Sequence, residues 1–220
     1  MKKISFLLLF SLFTLITNAA HAANKTIGII VYDGVLTSDI TGPAEVFGVA
    51  SKQSWFKDYD VKMISINDQT TITTEEGLTI KSDTNIDEAK NLSALIVPSS
   101  YTMEPLLKNK KLIQFIKTQG KKVEWMASNC SGSYLLAEAG LLDGKKATTW
   151  AGGEKDFQKE YPTVSVQENK NYVIDGNIIT GNGSVVSYTS AIKLLSLMSN
   201  KKLAQEVFDT LQLGRITNTY

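Results

Sequence analysis

Histidine, cysteine and arginine each occur once in this 220-residue chain, as His21, Cys130 and Arg215. Each scarcity removes a class of chemistry. A single cysteine permits no internal disulfide, so a packed core has to hold the fold. His21 lies at the end of an N-terminal apolar run. Lys2-Lys3, the stretch Ile4 to Ile16 and the small-residue pattern Ala20-His21-Ala22 have the form of a signal peptide over residues 1–22. That stretch is shorter than the ~20 residues that span a bilayer, which favours cleavage over anchoring. No cysteine follows it for lipid attachment. Cleavage predicts a periplasmic or secreted chain that starts at Ala23 and has no histidine left. A Ser-His-Asp or Cys-His triad within one chain is then excluded. Histidine metal sites and histidine proton shuttles are excluded with it.

The charge is balanced, with 23 Lys+Arg against 22 Asp+Glu, and loss of Lys2 and Lys3 turns the formal charge from +1 to −1. Apart from Arg215 the basic residues are lysines, scattered or in short pairs such as Lys110-Lys111 and Lys145-Lys146. Arginine is the residue suited to bidentate phosphate and base recognition, so no nucleic-acid partner is expected. A composition 43% hydrophobic and 20% charged is that of a globular domain and excludes a disordered or collagen-like chain. One domain is expected from residue 24 to 220, with no membrane association after cleavage.

The pattern alternates strand and helix. Lys25 to Tyr32 is a β-branched apolar run ended by the turn Asp33-Gly34, and Ser38 to Ala50 reads as a helix with Pro43 near its first turn. Val61 to Ile66 reads as a strand, and Thr70 to Ser82, broken at Gly77, as a β-hairpin. Ala94 to Pro98 is a short, fully apolar strand of the kind buried on both faces of a parallel sheet. A helix over Glu104 to Gln119, a strand over Val123 to Ser128 and a helix over Ser131 to Ala139 follow. Gly153 to Tyr161 is a short helix, three strand-like segments surround Asp175-Gly176, and two helices close the chain. Leu203, Val207 and Leu211 recur at i, i+4 and i+8, a core-facing stripe. The expectation is a single-domain α/β three-layer sandwich, flavodoxin-like, with a mainly parallel central sheet.

Ligands of such sheets bind beyond the carboxyl ends of the strands. Cys130 lies there, in Asn129-Cys130-Ser131-Gly132 between a strand and a helix, the context of a nucleophile elbow with sulfur in place of oxygen. Free N–H groups of the following helix are expected to lower the thiol pKa. A lone cysteine is also commonly a buried structural residue. With histidine gone, the proton partner has to be a carboxylate: Asp33, Asp39 or Glu45. Asp33 belongs to a turn with Gly34, and Glu45 lies one to two turns into the first helix. Asp39 sits where the chain enters that helix, a position also used for helix capping.

Asp33-Gly-Val-Leu-Thr-Ser-Asp-Ile-Thr-Gly-Pro-Ala-Glu-Val-Phe47 resembles the first strand-helix signature of the ThiJ/PfpI superfamily, within the class I glutamine amidotransferase-like fold. The block from Ser128 to Thr149 is similar to the family's nucleophile elbow, and Leu95-Ile-Val-Pro98 and Asp175 to Thr180 also match family positions. The isonitrile hydratase branch shows the nearest functional likeness, with its Asp-x-Thr-Gly-Pro segment and Cys-Thr elbow. The resemblance implies Cys130 as nucleophile, Asp39 as acid/base carboxylate and Ser131 in place of the elbow threonine. Two departures stand out. Trp150 occupies the position where many relatives carry histidine after the Thr-Thr pair. Ser99-Ser100 replaces the Gly-Gly that often follows the Val-Pro strand end. No counterpart of the DNA-binding domain of regulatory relatives is expected.

The expected chemistry is therefore of hydratase or hydrolase type on a small molecule, without metal or organic cofactor. A protonated Asp39 would donate to the Cys130 thiolate, and the two would titrate as a coupled pair. Backbone N–H groups at Ser131 and Ser100 would support developing negative charge, and Trp150 and Tyr101 would line the pocket. Relatives are often homodimers, although no interface is legible in this chain. The opposing expectation is a non-catalytic periplasmic protein whose exposed Cys130 is oxidised under stress.

Overall fold

The computed structural model describes residues 25–53 and 59–218. Residues 1–22, expected to be a signal peptide, lie outside them. In chain order the elements are β1 (Lys25–Val31), α1 (Thr37–Gln53), β2 (Tyr59–Ser65), β3 (Thr71–Thr73), β4 (Thr79–Lys81), β5 (Thr84–Asn85) and β6 (Leu92–Val97). They continue with α2 (Glu104–Leu107), α3 (Lys110–Gln119), β7 (Trp125–Asn129), α4 (Gly132–Glu138), β8 (Lys146–Ala147) and α5 (Glu154–Glu160). The chain ends with β9 (Ser165–Val166), β10 (Tyr172–Asp175), β11 (Ile178–Gly181), α6 (Val186–Met198), α7 (Lys201–Thr210) and a 3-10 turn over Leu213–Asn218.

Seven strands form the central sheet in the order β10-β11-β7-β6-β1-β2-β5. All neighbours run parallel except the hairpin β10-β11, which turns through Gly176 and Asn177. The continuous apolar runs foresaw this: a strand covered on both faces has no solvent side to make polar. Ile27, Ile29, Ile30 and Val31 in β1, and Ala94 to Val97 in β6, are buried accordingly. Helices α1, α6 and α7 pack together, and α2, α3 and α4 form a second group. The three-layer α/β architecture expected from the alternation is the one observed.

Two local differences have identifiable causes. The helix expected over 104–119 is divided at Lys108 and Asn109, because Asn109 caps α3 by accepting the Leu112 N–H at 3.1 Å. Helix α1 begins at Thr37, so Asp39 falls inside the first turn instead of capping it. In the closing helix the predicted stripe holds, with Val207 in the core and Leu203 and Leu211 packed against it.

Strand order reverses at β1. The chain moves from β1 to β2 on one side, then returns to place β6, β7 and β11 on the other. Such a switch point opens a crevice at the carboxyl edge of the sheet. The segments that follow β1, β6, β7 and β11 converge there.

Candidate active site

The segment Asp39-Ile-Thr-Gly-Pro43 is a set of local solutions to one packing problem. Ile40 is fully buried in the core. Gly42 leaves room for α6, since a Cβ there would come within 3.2 Å of the Tyr188 nitrogen and 3.3 Å of Ser187 Cβ. Pro43 has no N–H, so it cannot donate to the carbonyl four residues earlier, which is that of Asp39. That buried carbonyl instead accepts the Asn129 side-chain amide at 2.9 Å. The proline thus frees the acceptor by which α1 holds the residue preceding Cys130.

The Asp39 side chain is fully buried and accepts four donors. Its Oδ2 accepts the Ser99 N–H at 3.2 Å and the Ser99 hydroxyl at 2.5 Å. Its Oδ1 accepts the Ser184 N–H at 3.0 Å and the Ser187 hydroxyl at 2.9 Å. Three segments of distant sequence therefore meet on one carboxylate.

Cys130 occupies the tight turn between β7 and α4 with φ of 51°, a left-handed conformation that costs a non-glycine residue about 1 kcal/mol or more. Contacts on every side hold it. Its N–H donates to Gly181 O at 2.9 Å, and its carbonyl accepts the Ser133 hydroxyl at 3.1 Å and the Thr149 hydroxyl at 3.2 Å. Gly132 is required next, because a Cβ there would lie 2.2 Å from Val97 O. Gly183, at φ of 80°, passes so close that a Cβ would lie 2.3 Å from Cys130 Cβ and 2.9 Å from Asp39 Oδ1. The thiol and the carboxylate thus share one small cradle.

Electrostatics there are set by burial. Loss of water pushes the Asp39 carboxyl above the usual carboxylate range, against the hydrogen bonds from Ser99, Ser187 and Ser184 that pull it down. Burial, and then the charge of Asp39, push the Cys130 thiol up. Hydrogen bonds from the Ser99 hydroxyl and from the backbone and side chain of Ser131 act in the opposite direction without prevailing. The expectation of a thiol lowered by the helix end is overturned, because desolvation and a neighbouring negative charge outweigh the N–H at Ser131. Tyr32, buried beneath the site and donating to Pro98 O at 2.9 Å, is pushed well up by burial and by the same two groups.

A model of the DJ-1/PfpI family matches residues 25–196. The chain belongs to that family. It is 31% identical over 183 residues to the isonitrile hydratase of Pseudomonas putida, a match covering 82% of this chain and 75% of the hydratase. It is 32% identical over 141 residues to the HTH-type transcriptional regulator CdhR of Pseudomonas aeruginosa, 64% of this chain but 41% of the regulator. Among solved structures, a ThiJ/PfpI family protein from Pseudomonas syringae superposes with a TM-score of 0.76 at 20% identity, covering 93% of this chain and 81% of that one. DJ-1beta of Drosophila melanogaster gives 0.75 at 20% identity, with 86% and 98% covered. These structures establish the shared fold.

In this DJ-1/PfpI chain the two principal candidates, Cys130 and Asp39, come together. Ser131 follows Cys130 directly and acts to pull the thiol pKa down, and its hydroxyl donates to Ser100 O at 3.3 Å. Ser100 is nearly buried and pairs with Val35 in an isolated antiparallel bridge. Trp150 stays partly exposed against Gly153 and is linked to the site through its neighbour Thr149, while Tyr101 is 76% exposed. Asp33 and Glu45 are used elsewhere: Asp33 accepts the Thr73 N–H at 2.8 Å, and Glu45 accepts the Tyr188 hydroxyl at 2.8 Å. Among the described residues no group of three or more His, Cys, Asp or Glu side chains is placed to hold a metal ion. Sequence reasoning missed Ser99, Ser184 and Ser187 as partners of Asp39. Ser99 had one signal, its departure from the family's glycine; Ser184 and Ser187, in and after the segment Gly181-Asn-Gly-Ser184, were not singled out.

Proposed function

We propose that this chain is a thiol-dependent hydratase of the isonitrile hydratase type, acting on a small molecule after export. The observation that carries the reading is the convergence of Cys130, held at φ of 51° in a strand-to-helix turn, with the buried carboxylate of Asp39. Likeness to an isonitrile hydratase over 82% of the chain supports the reaction class. Cys130 serves as the nucleophile of an elbow. The thiol adds across the terminal carbon of the isonitrile: a C–S bond forms, the thiol proton ends on that carbon, and a thioimidate results. Asp39 takes the proton as sulfur attacks and returns it to carbon. Water then adds to the thioimidate, the C–S bond breaks, sulfur regains a proton, and an N-substituted formamide leaves.

A raised thiol pKa is compatible with this cycle, because a base beside the sulfur removes its proton during attack and the thiolate is the stronger nucleophile for being more basic. It weighs against a free-standing oxidant sensor, which depends on a resident thiolate. Ser131, directly after Cys130, acts to pull the thiol pKa down, and Ser100 and Trp150 lie on segments bordering the same edge. The test is to incubate the protein with a panel of aliphatic and aromatic isonitriles and follow formamide by mass spectrometry. Turnover that falls by about 100-fold or more in both Cys130→Ser and Asp39→Asn is expected. A Cys130 that gives no formamide yet converts readily to sulfinic acid under mild peroxide would replace this reading with the stress-protein one.

A further inference from the structure

We infer that a small cavity between the central sheet and α6 binds a single water molecule, held by Ser190 and Asn129. The inference stands apart from the hydratase reading, since it uses neither the thiol nor a substrate. The cavity measures about 10 Å³ and is lined by Ile96, Ile179 and Leu194, with a polar wall of Asn129, Ser187 and Ser190. That is room for one water and for nothing larger. Ser190 is 5% exposed, and its Oγ has no hydrogen-bond partner among the described residues. A helical serine or threonine often donates to the carbonyl four residues earlier, as Thr41, Ser51 and Ser199 do in this chain. For Ser190 that carbonyl is Val186 O, which accepts the Thr189 hydroxyl at 2.8 Å instead. The Ser190 hydroxyl is turned toward the sheet. A Cβ on Gly181 would lie 2.3 Å from its Oγ and 3.4 Å from Asn129 Oδ1, so the glycine leaves open a point that both polar atoms face.

The chemistry of the polar wall matches water. Asn129 Nδ2 donates to Asp39 O at 2.9 Å, and a carbonyl can only accept, so the amide oxygen is the end left for the cavity. Ser187 gives its proton to Asp39 Oδ1 at 2.9 Å and keeps its acceptor lone pairs. Ser190 can donate or accept. A water molecule accepts the Ser190 proton and donates its own two to Asn129 Oδ1 and Ser187 Oγ. No charged residue is among the described residues that line the cavity, so neither a cation nor an anion would be compensated there. With the water in place the Asn129 amide is fixed at both ends, by α1 through Asp39 O and by α6 through the water. Asn129 is the residue directly before Cys130.

The test joins a crystal structure of the protein to a count of its long-lived internal waters by magnetic relaxation dispersion, in wild type and in Ser190→Val. Wild type should show one water within about 2.7–3.2 Å of both Ser190 Oγ and Asn129 Oδ1. Ser190→Val removes the hydroxyl and puts a methyl group into the cavity, so the water should be lost and the count should fall by one. Hydrogen exchange of the Asn129 side-chain amide, followed by NMR, should then speed up about tenfold, the effect of losing one hydrogen bond. A dry cavity in wild type overturns the inference, as does a Ser190 Oγ bonded directly to Asn129 Oδ1 or to Val186 O. A water count or an Asn129 exchange rate unchanged in Ser190→Val overturns it as well. The wild-type structure and count decide the matter even where the variant fails to fold. None of these readouts involves turnover, so failure to hydrate isonitriles leaves the result intact, and a dry cavity leaves the hydratase test standing.

Discussion

Asp39 concentrates the physical conflict of this site in one residue. Both of its oxygens accept a backbone N–H, from Ser99 and from Ser184, and neither donor can rotate away. The carboxylate form is therefore the one its surroundings recognise, while burial raises the carboxyl pKa. A raised folded pKa means that the native state binds the proton more tightly than the unfolded chain does. The contribution of Asp39 to stability is thus complete below the unfolded value of about 3.9 and is lost as pH rises through the folded value. Asp39→Asn removes that dependence but aims an NH2 group at one of the two fixed N–H donors. At acid pH the substitution should cost about 1–3 kcal/mol. The gap between wild type and variant should then narrow as pH rises, read by urea denaturation at a series of pH values. A gap that widens with pH would show that the buried carboxylate is stabilised by its ionisation and would reverse the sign argued here.

At the scale of elements, the coupling of α1 to the β7–α4 turn depends on a backbone group that the helix itself does not use. Pro43 leaves the Asp39 carbonyl open, and Asn129 fills it at 2.9 Å. Removing the amide in Asn129→Ala should leave a buried acceptor unpaired and cost about 1–3 kcal/mol in chemical denaturation. Restoring an N–H by Pro43→Ala in the same chain should recover part of that loss, because the intrahelical bond becomes available again. Additive losses would mean that the proline serves only to shape the helix. Legibility was uneven at this scale. The strand and helix on either side of Cys130 were legible, as segments 123–128 and 131–139. The division between α2 and α3 was not, since Asn109 acts as a cap only once the chain turns there. Asp39 was legible as a candidate, yet its capping and catalytic uses differ only in where the side chain points.

For the whole molecule, the parallel order β11-β7-β6-β1 brings four strand ends to one edge and makes a single site from segments scattered along the chain. Export is the remaining proposal at this scale. The pattern of residues 1–22 predicts cleavage after Ala22, so N-terminal sequencing of the protein recovered from a periplasmic fraction should begin at Ala23. Retention of the full-length chain in the cytoplasm would remove the proposed compartment, and with it the argument that His21 is lost. The hydratase chemistry depends on neither outcome, because the cradle formed by residues 39, 99, 130 and 183 draws on no histidine.

By itself the sequence determined the α/β alternation, the parallel character of the sheet and the placement of Cys130 beyond a strand end. These follow from apolar periodicity and turn residues, which act over a few neighbours. Only the tertiary structure decided which donors meet Asp39: Ser99 is 60 residues away, Ser184 is 145 and Ser187 is 148. Serine is too common to announce such a role, and its hydroxyl takes its partner from whatever packing brings within reach. The direction of the thiol pKa was decided there too. A helix end is a local feature that pulls it down, whereas burial and the charge of a distant carboxylate push it up, and both arise only when the chain has closed over the site.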